Sequence, residues 1–364
     1  MRVGAIPTTA LEWIASRLNL VPLPAADALF GMLHSRIVMA GGRLGVFAAL
    51  ASGEQSADAL AERLRLDPTG TRLLCDALVA ARYLARHATG GYALTRLTRR
   101  YLVPASPHYI GDYLEYNYDQ WEWVGHLERV VRGGDPLDVH VALNSAAPGD
   151  LPGSWTRYML GLAELAGTAA SEVAAKVPLA PRADGAPRRL LDIGGGHGRF
   201  SVALCQRYPD LTAEILDLPE CVAAAEPIAR QLAGPLVAPR VRYRAGDALA
   251  ATLGSPASYD TALIFQLLHH LPPATIPELI ARAVRVVRPG GWVALLDLLE
   301  PEHAGARDAL AAYTALYFYL TSRGHSYPPE QIRVWLREAG CAEIRTIPLL
   351  RVPGQSLLAG RRAP

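Results

Sequence analysis

Residues 190–199 read Leu190-Leu191-Asp192-Ile193-Gly194-Gly195-Gly196-His197-Gly198-Arg199. An apolar run of strand character enters a turn made almost entirely of glycine, and a helix is expected from about Arg199. Glycine puts no Cβ between the main chain and a bound molecule, so such a turn lets backbone N–H groups approach a ligand closely. The order is D-x-G-x-G-x-G. The dinucleotide fingerprint G-x-G-x-x-G places its third glycine three residues after the second, and this stretch does not. Asp192 argues the same way, because a carboxylate there repels a pyrophosphate and attracts an ammonium group. His197 is expected to face outward from the loop.

Outward from this turn the pattern repeats. Short apolar strands at Leu190–Ile193, Ala213–Leu216, Val241–Arg244, Thr261–Phe265 and Val293–Leu296 alternate with helical stretches, and Cys341–Pro348 with Ser356–Arg361 reads as a closing antiparallel pair. Alternation of this kind predicts an α/β, Rossmann-like, doubly wound parallel sheet. A second acid, Asp217, ends the second strand, where a carboxylate can accept both hydroxyls of a ribose. A third, Asp247, follows the third strand and is placed to reach an adenine edge. Three acids at three consecutive strand ends with one glycine loop point to S-adenosylmethionine as cofactor. Asp192, Gly194, Gly196, Gly198, Asp217, Leu218, Gly246, Asp247, Ala248 and Gln266 are the expected cofactor contacts. The competing reading of Asp217 and Asp247 is that of ordinary caps or turn residues.

The segments Asp192–Gly198, Asp217-Leu218-Pro219, Gly246-Asp247 and Arg288-Pro289-Gly290-Gly291 carry a resemblance. Residues 188–361 resemble the class I S-adenosylmethionine-dependent methyltransferases. The whole chain is similar to the two-domain small-molecule O-methyltransferases, the plant caffeate type and its bacterial relatives acting on aromatic natural products. The resemblance implies a seven-stranded catalytic domain preceded by an N-terminal, mainly helical, winged-helix-like dimerisation domain. It also implies a homodimer and a small aromatic or polyketide-like acceptor in secondary metabolism. In that family a His in the segment Leu263–Pro272 is the general base. Aligned so, His269 takes the base position, His270 replaces the acid that follows it, and Asp297 matches the first of two flanking carboxylates. The second should fall near Gly324-His325-Ser326-Tyr327, where no acid stands; Glu330 is the nearest. A histidine packed structurally at a helix start is the competing reading of His269. N- or C-methylation, and a cofactor-binding relative performing hydroxylation or decarboxylation, are the alternatives to O-methylation.

The chain divides on the same grounds into 1–110, a winged-helix-like dimerisation domain; 111–187, a helical segment, pocket wall and linker; and 188–364, the cofactor-binding catalytic domain. Ser56 caps an expected helix over Ala57–Arg65, and Asp67-Pro68 starts another that runs to about Tyr83. A hairpin around Gly90-Gly91 follows. The second helix carries only Arg72 and Arg82, with Asp76 between them, too few polar groups to read base edges, so no nucleic-acid partner is expected. Aromatic residues crowd 109–123, and Trp121, Trp155, Tyr158, Met159, Tyr317 and His270 are the candidate acceptor contacts, against a reading of the same rings as core or subunit interface.

The 364 residues carry 36 basic and 34 acidic side chains for a net charge of +2, which provides no global field for nucleic acid. Cys75, Cys205, Cys221 and Cys341 are widely spaced, and no Cys/His spacing suits a metal. No apolar run nears the ~18 residues that span a bilayer, and Glu12, Arg17 and Asn19 interrupt the only leader-like stretch. A cytoplasmic protein with reduced thiols and no membrane partner is the expectation.

Overall fold

The strand run that follows Arg188 builds one seven-stranded sheet. The computed structural model describes residues 8–144, 154–182, 184–300, 309–322, 324–352 and 355–364, and the chain falls into two compact units, Met1–Tyr118 and Asp119–Pro364.

In the first unit, helices Ala57–Leu64 and Pro68–Ala80 precede a hairpin of β1 (Leu84–Arg86) and β2 (Tyr92–Leu94). Their starts follow the sequence chemistry. Ser56 Oγ accepts the Ala59 N–H at 3.2 Å, and Asp67 Oδ1 accepts that of Gly70 at 2.6 Å, each satisfying a first-turn donor that has no partner within the helix. The second helix is shorter than expected, ending at Ala80, because Arg82 turns the chain at φ +64° before the hairpin. Phe47, Leu50, Leu60, Leu78 and Tyr92 fill the core of this unit. Asp76 is tied to the hairpin, accepting from Arg86 at 2.8 Å and from the Tyr92 hydroxyl at 2.8 Å.

In the second unit the strands are β3 (Arg188–Ile193), β4 (Leu211–Asp217), β5 (Val241–Ala245), β6 (Tyr259–Phe265), β7 (Val287–Leu298), β8 (Cys341–Ile347) and β9 (Gln355–Arg362). They lie in the order β5-β4-β3-β6-β7-β9-β8, parallel except for β9, which is antiparallel to both neighbours. Helices cover both faces. Leu191, Ile193, Ala262, Ile264, Val293 and Leu295 pack on helices Ile276–Val286 and Pro329–Glu338. Leu190, Leu263, Phe265, Ala294 and Leu296 pack on helices Arg199–Arg207 and Pro219–Val237. A strand buried on both faces has no polar alternation to show, which is why β6 reads as the unbroken run Thr261-Ala262-Leu263-Ile264-Phe265. Among the described residues no helix is long and apolar enough to cross a membrane.

The chain enters this sheet through a buried ion cluster. Asp260, 1% exposed, accepts from Arg288 Nε at 2.5 Å, Arg182 at 3.4 Å and the backbone N–H of Arg189 at 2.8 Å. One carboxylate thereby joins the entry segment to the first residues of β3, β6 and β7. Asp260→Ala strips two guanidinium groups and one backbone donor of their shared acceptor. It is expected to lower the unfolding free energy of this unit by about 3 kcal/mol, read as a lower chemical-denaturation midpoint with the slope unchanged.

Candidate active site

β3 has β4 on one side and β6 on the other, so the chain winds away in opposite directions from this point and opens a crevice at the carboxyl ends of the strands. The glycine turn sits there. Gly194, Gly196 and Gly198 have φ of +67°, +47° and +66°, and a Cβ on Gly195 would stand 2.5 Å from Asp192 Cγ. The turn therefore wraps tightly around the Asp192 carboxylate. That group is 2% exposed; its Oδ2 accepts the Ser201 hydroxyl at 2.6 Å, and its Oδ1 has no hydrogen-bond partner. Burial pushes its pKa up to about 7. A sealed carboxylate oxygen without a donor calls for a cationic or donating ligand atom, and the ammonium of an amino acid moiety meets that need.

Asp217 at the end of β4 is also buried, and burial raises its pKa. Oδ2 accepts the Gly196 N–H at 2.7 Å and Oδ1 that of Leu218 at 2.8 Å, so the acid braces the turn, and the Cys221 thiol hydrogen-bonds it as well. Asp247 caps its own turn, accepting the Leu249 N–H at 2.8 Å, while lining the same cleft as Gly246, Ala248 and Gln266. His197 departs from expectation. Instead of facing outward it lines the cleft, and its Nδ1 accepts the Arg199 N–H at 3.0 Å. Gly198 occupies the cap of helix Arg199–Arg207 and has no side chain, so the preceding imidazole takes over the first-turn donor. Burial lowers the pKa of His197 to about 4, leaving it neutral with its proton on Nε2.

The second half of the cleft begins where β6 ends. Gln266 adopts φ +53°, its N–H donating to Leu296 O at 2.7 Å and its side-chain amide to Gln355 Oε1 at 2.8 Å. The 3₁₀ turn Leu268–His270 then buries His269, whose Nδ1 lies 2.6 Å from Asp297 Oδ1 at the end of β7. A carboxylate only accepts, so Nδ1 carries the proton and Nε2 is left as a lone pair. The ring is stacked on Phe318 with centroids 3.7 Å apart, and a Cβ on Gly324 would overlap the His269 carbonyl oxygen. Backbone and ring thus fix the imidazole from two sides.

The position expected to hold a second acid contains Ser326, buried with its hydroxyl unpartnered, and Asp297 Oδ2 is likewise without a partner. Glu330 is not at this site. It is exposed and paired with Arg333 and Arg337 at 3.1 and 2.9 Å.

Trp155, Tyr158, Met159 and His270 line the cleft, which encloses about 230 Å³. Trp121 and Tyr317 are not among its lining residues. On helix Gly111–Val124 it is Trp123 that is fully buried, and on helix Ala309–Ser322 it is Phe318, one residue or about 100° of helix beyond Tyr317, that meets His269. A residue that sequence reasoning passed over completes the wall. His140 stacks on Trp155 (5.7 Å, 13°), sits 3.2 Å from the Tyr158 hydroxyl through Nε2, and lies edge-on to His270 at 4.6 Å. Burial lowers its pKa to about 4 and holds His270 well below the usual range, so both rings are neutral.

Comparison with known proteins matches this geometry to sequence families. Residues 155–342 match the O-methyltransferase domain model, and residues 26–104 the O-methyltransferase dimerisation domain model. The 3-hydroxy-5-methyl-1-naphthoate 3-O-methyltransferase of Streptomyces sahachiroi is 29% identical, covering 94% of this chain and 96% of its own. The acetylserotonin O-methyltransferase of Mus musculus molossinus is 31% identical over 92% of this chain and 87% of its own. The crystal structure of human N-acetylserotonin methyltransferase in complex with SAM superposes with a TM-score of 0.77 at 21% identity, covering 100% of both chains. The cleft and these matches together place the chain in the O-methyltransferase family, as an S-adenosylmethionine-dependent methyltransferase that carries its own dimerisation domain.

Proposed function

We propose that this protein methylates a hydroxyl of an aromatic or polyketide-like small molecule, with His269 as the general base. The His269–Asp297 pair, set in the same unit as Asp192 with its unpartnered Oδ1, carries the reading. The naphthoate and acetylserotonin relatives support the acceptor class.

S-adenosylmethionine, when bound, supplies a methyl carbon already activated by its sulfonium. The protein is left to orient the acceptor, exclude water and remove a proton. Asp192 would hold the cofactor's ammonium group through Oδ1, Asp217 would receive the ribose hydroxyls, and Asp247 would meet the adenine edge. His269 Nε2 would take the proton of the acceptor hydroxyl, and Asp297 would balance the imidazolium that results. Trp155, Tyr158 and Met159 form the wall against which a flat acceptor packs.

We further infer a homodimer formed through the first unit. The helix Leu23–Arg43 leaves Leu29, Phe30, Met32 and Leu33 exposed there, an apolar surface that favours a partner copy. Four free, buried cysteines favour the cytoplasm.

Two outcomes test the site. His269→Ala is expected to reduce kcat for O-methylation by about 10²–10⁴-fold while calorimetric affinity for S-adenosylhomocysteine stays within about 2-fold; unchanged turnover removes the base assignment. The second outcome concerns Asp192, whose pKa is pushed up to about 7, so its proton returns as the pH falls below neutrality and the ammonium loses its ion partner. Affinity for S-adenosylhomocysteine should therefore decline below pH 7 in the parent protein. In Asp192→Asn it should be at least ~10-fold weaker at pH 8 and flat across the same range.

A further inference from the structure

Tyr243 stands in the middle of β5, directly across the ladder from Ile215 of β4, and does not line the cleft. Its hydroxyl donates to the Gly196 carbonyl oxygen at 2.9 Å. Burial and the neighbouring carboxylates of Asp192 and Asp217 push the phenol pKa up, so the hydroxyl keeps its proton and acts as a donor. The Gly196 N–H is already committed to Asp217 Oδ2 at 2.7 Å. Both polar groups of one loop residue are therefore pinned, its N–H from the end of β4 and its carbonyl from β5. Gly196 sits at φ +47° and has no side chain of its own to hold that conformation. The hydroxyl also fills the space beneath the helix start, where a Cβ on Gly198 would stand 2.5 Å from Tyr243 Oη and 2.9 Å from Ile215 Cδ1.

The carbonyl bond settles the orientation of the whole Gly196–His197 peptide. That unit is planar and trans, so its N–H points opposite to its C=O. With the oxygen drawn to Tyr243, the His197 N–H is directed the other way, and it has no acceptor among the described residues. Gly196 and His197 both line the cleft. Rotation of this peptide would put a carbonyl oxygen where the N–H donor now stands. Without the hydroxyl the carbonyl loses its partner and the N–H loses its fixed direction.

We propose that Tyr243 is a positioning residue for cofactor binding, whose hydroxyl locks the Gly196–His197 peptide so that the His197 N–H stays a free donor at the cleft. The inference rests on the cofactor and is independent of which acceptor is methylated. Tyr243 acts through Gly196, and its effect lies in how far the loop is preorganised before the cofactor arrives. A phenylalanine would fill nearly the same volume, so packing alone does not call for the oxygen.

The test is calorimetric titration of the full-length Tyr243→Phe variant with S-adenosylhomocysteine, beside Tyr259→Phe as control. Tyr259 is a buried phenol of the same sheet, bonded to Glu214, and it does not line the cleft. Tyr243→Phe should bind at least ~5-fold more weakly than the parent, and Tyr259→Phe should stay within about 2-fold of it. Hydrogen–deuterium exchange of the peptide spanning residues 192–200 should rise in unliganded Tyr243→Phe, with β6 and β7 unchanged, and should return to the level of the liganded parent when S-adenosylhomocysteine saturates the variant. In turnover the KM for S-adenosylmethionine should rise by the same factor as the affinity falls, with kcat within about 2-fold. Parent-like affinity or parent-like loop exchange in Tyr243→Phe overturns the inference. So does an equal loss of affinity in Tyr259→Phe, which would make the effect one of sheet stability. Binding and exchange as expected without any methylated product remove the O-methylation reading alone, and unchanged affinity in a Tyr243→Phe enzyme that still methylates removes this inference alone.

Discussion

A carboxylate sealed at the end of β3 with one oxygen unsatisfied is the constraint around which the cleft is arranged. Leaving such an atom buried costs free energy, and folding alone does not recover it. Three glycines at positive φ wrap the carboxylate, Ser201 takes one of its oxygens, and the other stays open. Asp217 then holds the turn in place through the Gly196 N–H. The unliganded sheet therefore gives up part of its stability to this one unsatisfied oxygen, a cost that a donating ligand atom would relieve.

The sheet order sets where everything else must be. Because β6 pairs with β3 and β7 pairs with β6, the ends of three neighbouring strands deliver Asp192, the His269 turn and Asp297 along one edge. The long antiparallel pairing of β7 with β9 supports that edge, bringing Gln355 opposite Leu298 and within reach of Gln266. The strained backbone at Gln266 is tolerated because both its main chain and its side chain are held from that side.

Much of this was written in local sequence, and the failures share a physical origin. The strand–glycine–helix turn, the acids at strand ends and the caps at Ser56 and Asp67 depend on neighbours within a few residues, so they are legible. The beginning of β7 was not, because Arg288-Pro289-Gly290-Gly291 reads as a turn although Val287 already pairs with Tyr259. Which ring of a helix faces a cleft depends on packing: Phe318 and Trp123 point inward where Tyr317 and Trp121 had looked as plausible. His140 stands alone in its segment, and only the folded chain brings it against Trp155, Tyr158 and His270. His197 turned inward because its ring, not a residue at the glycine cap, accepts the first-turn Arg199 N–H, a bond that local sequence does not announce.

The lone carboxylate beside the base fits its neighbours' charge state. With two flanking acids an imidazole base would work against a net charge of −2; among the described residues Asp297 is the one carboxylate bonded to it, with a buried serine where the second acid would stand. Proton transfer to His269 then converts an anion beside a neutral ring into a neutral ion pair, whereas a second carboxylate would leave a residual negative charge in the cleft. The arrangement requires that nothing else nearby be positive, since a second imidazolium 4.1 Å away would oppose the first. Burial of His140 and His270 meets that requirement by keeping both rings uncharged.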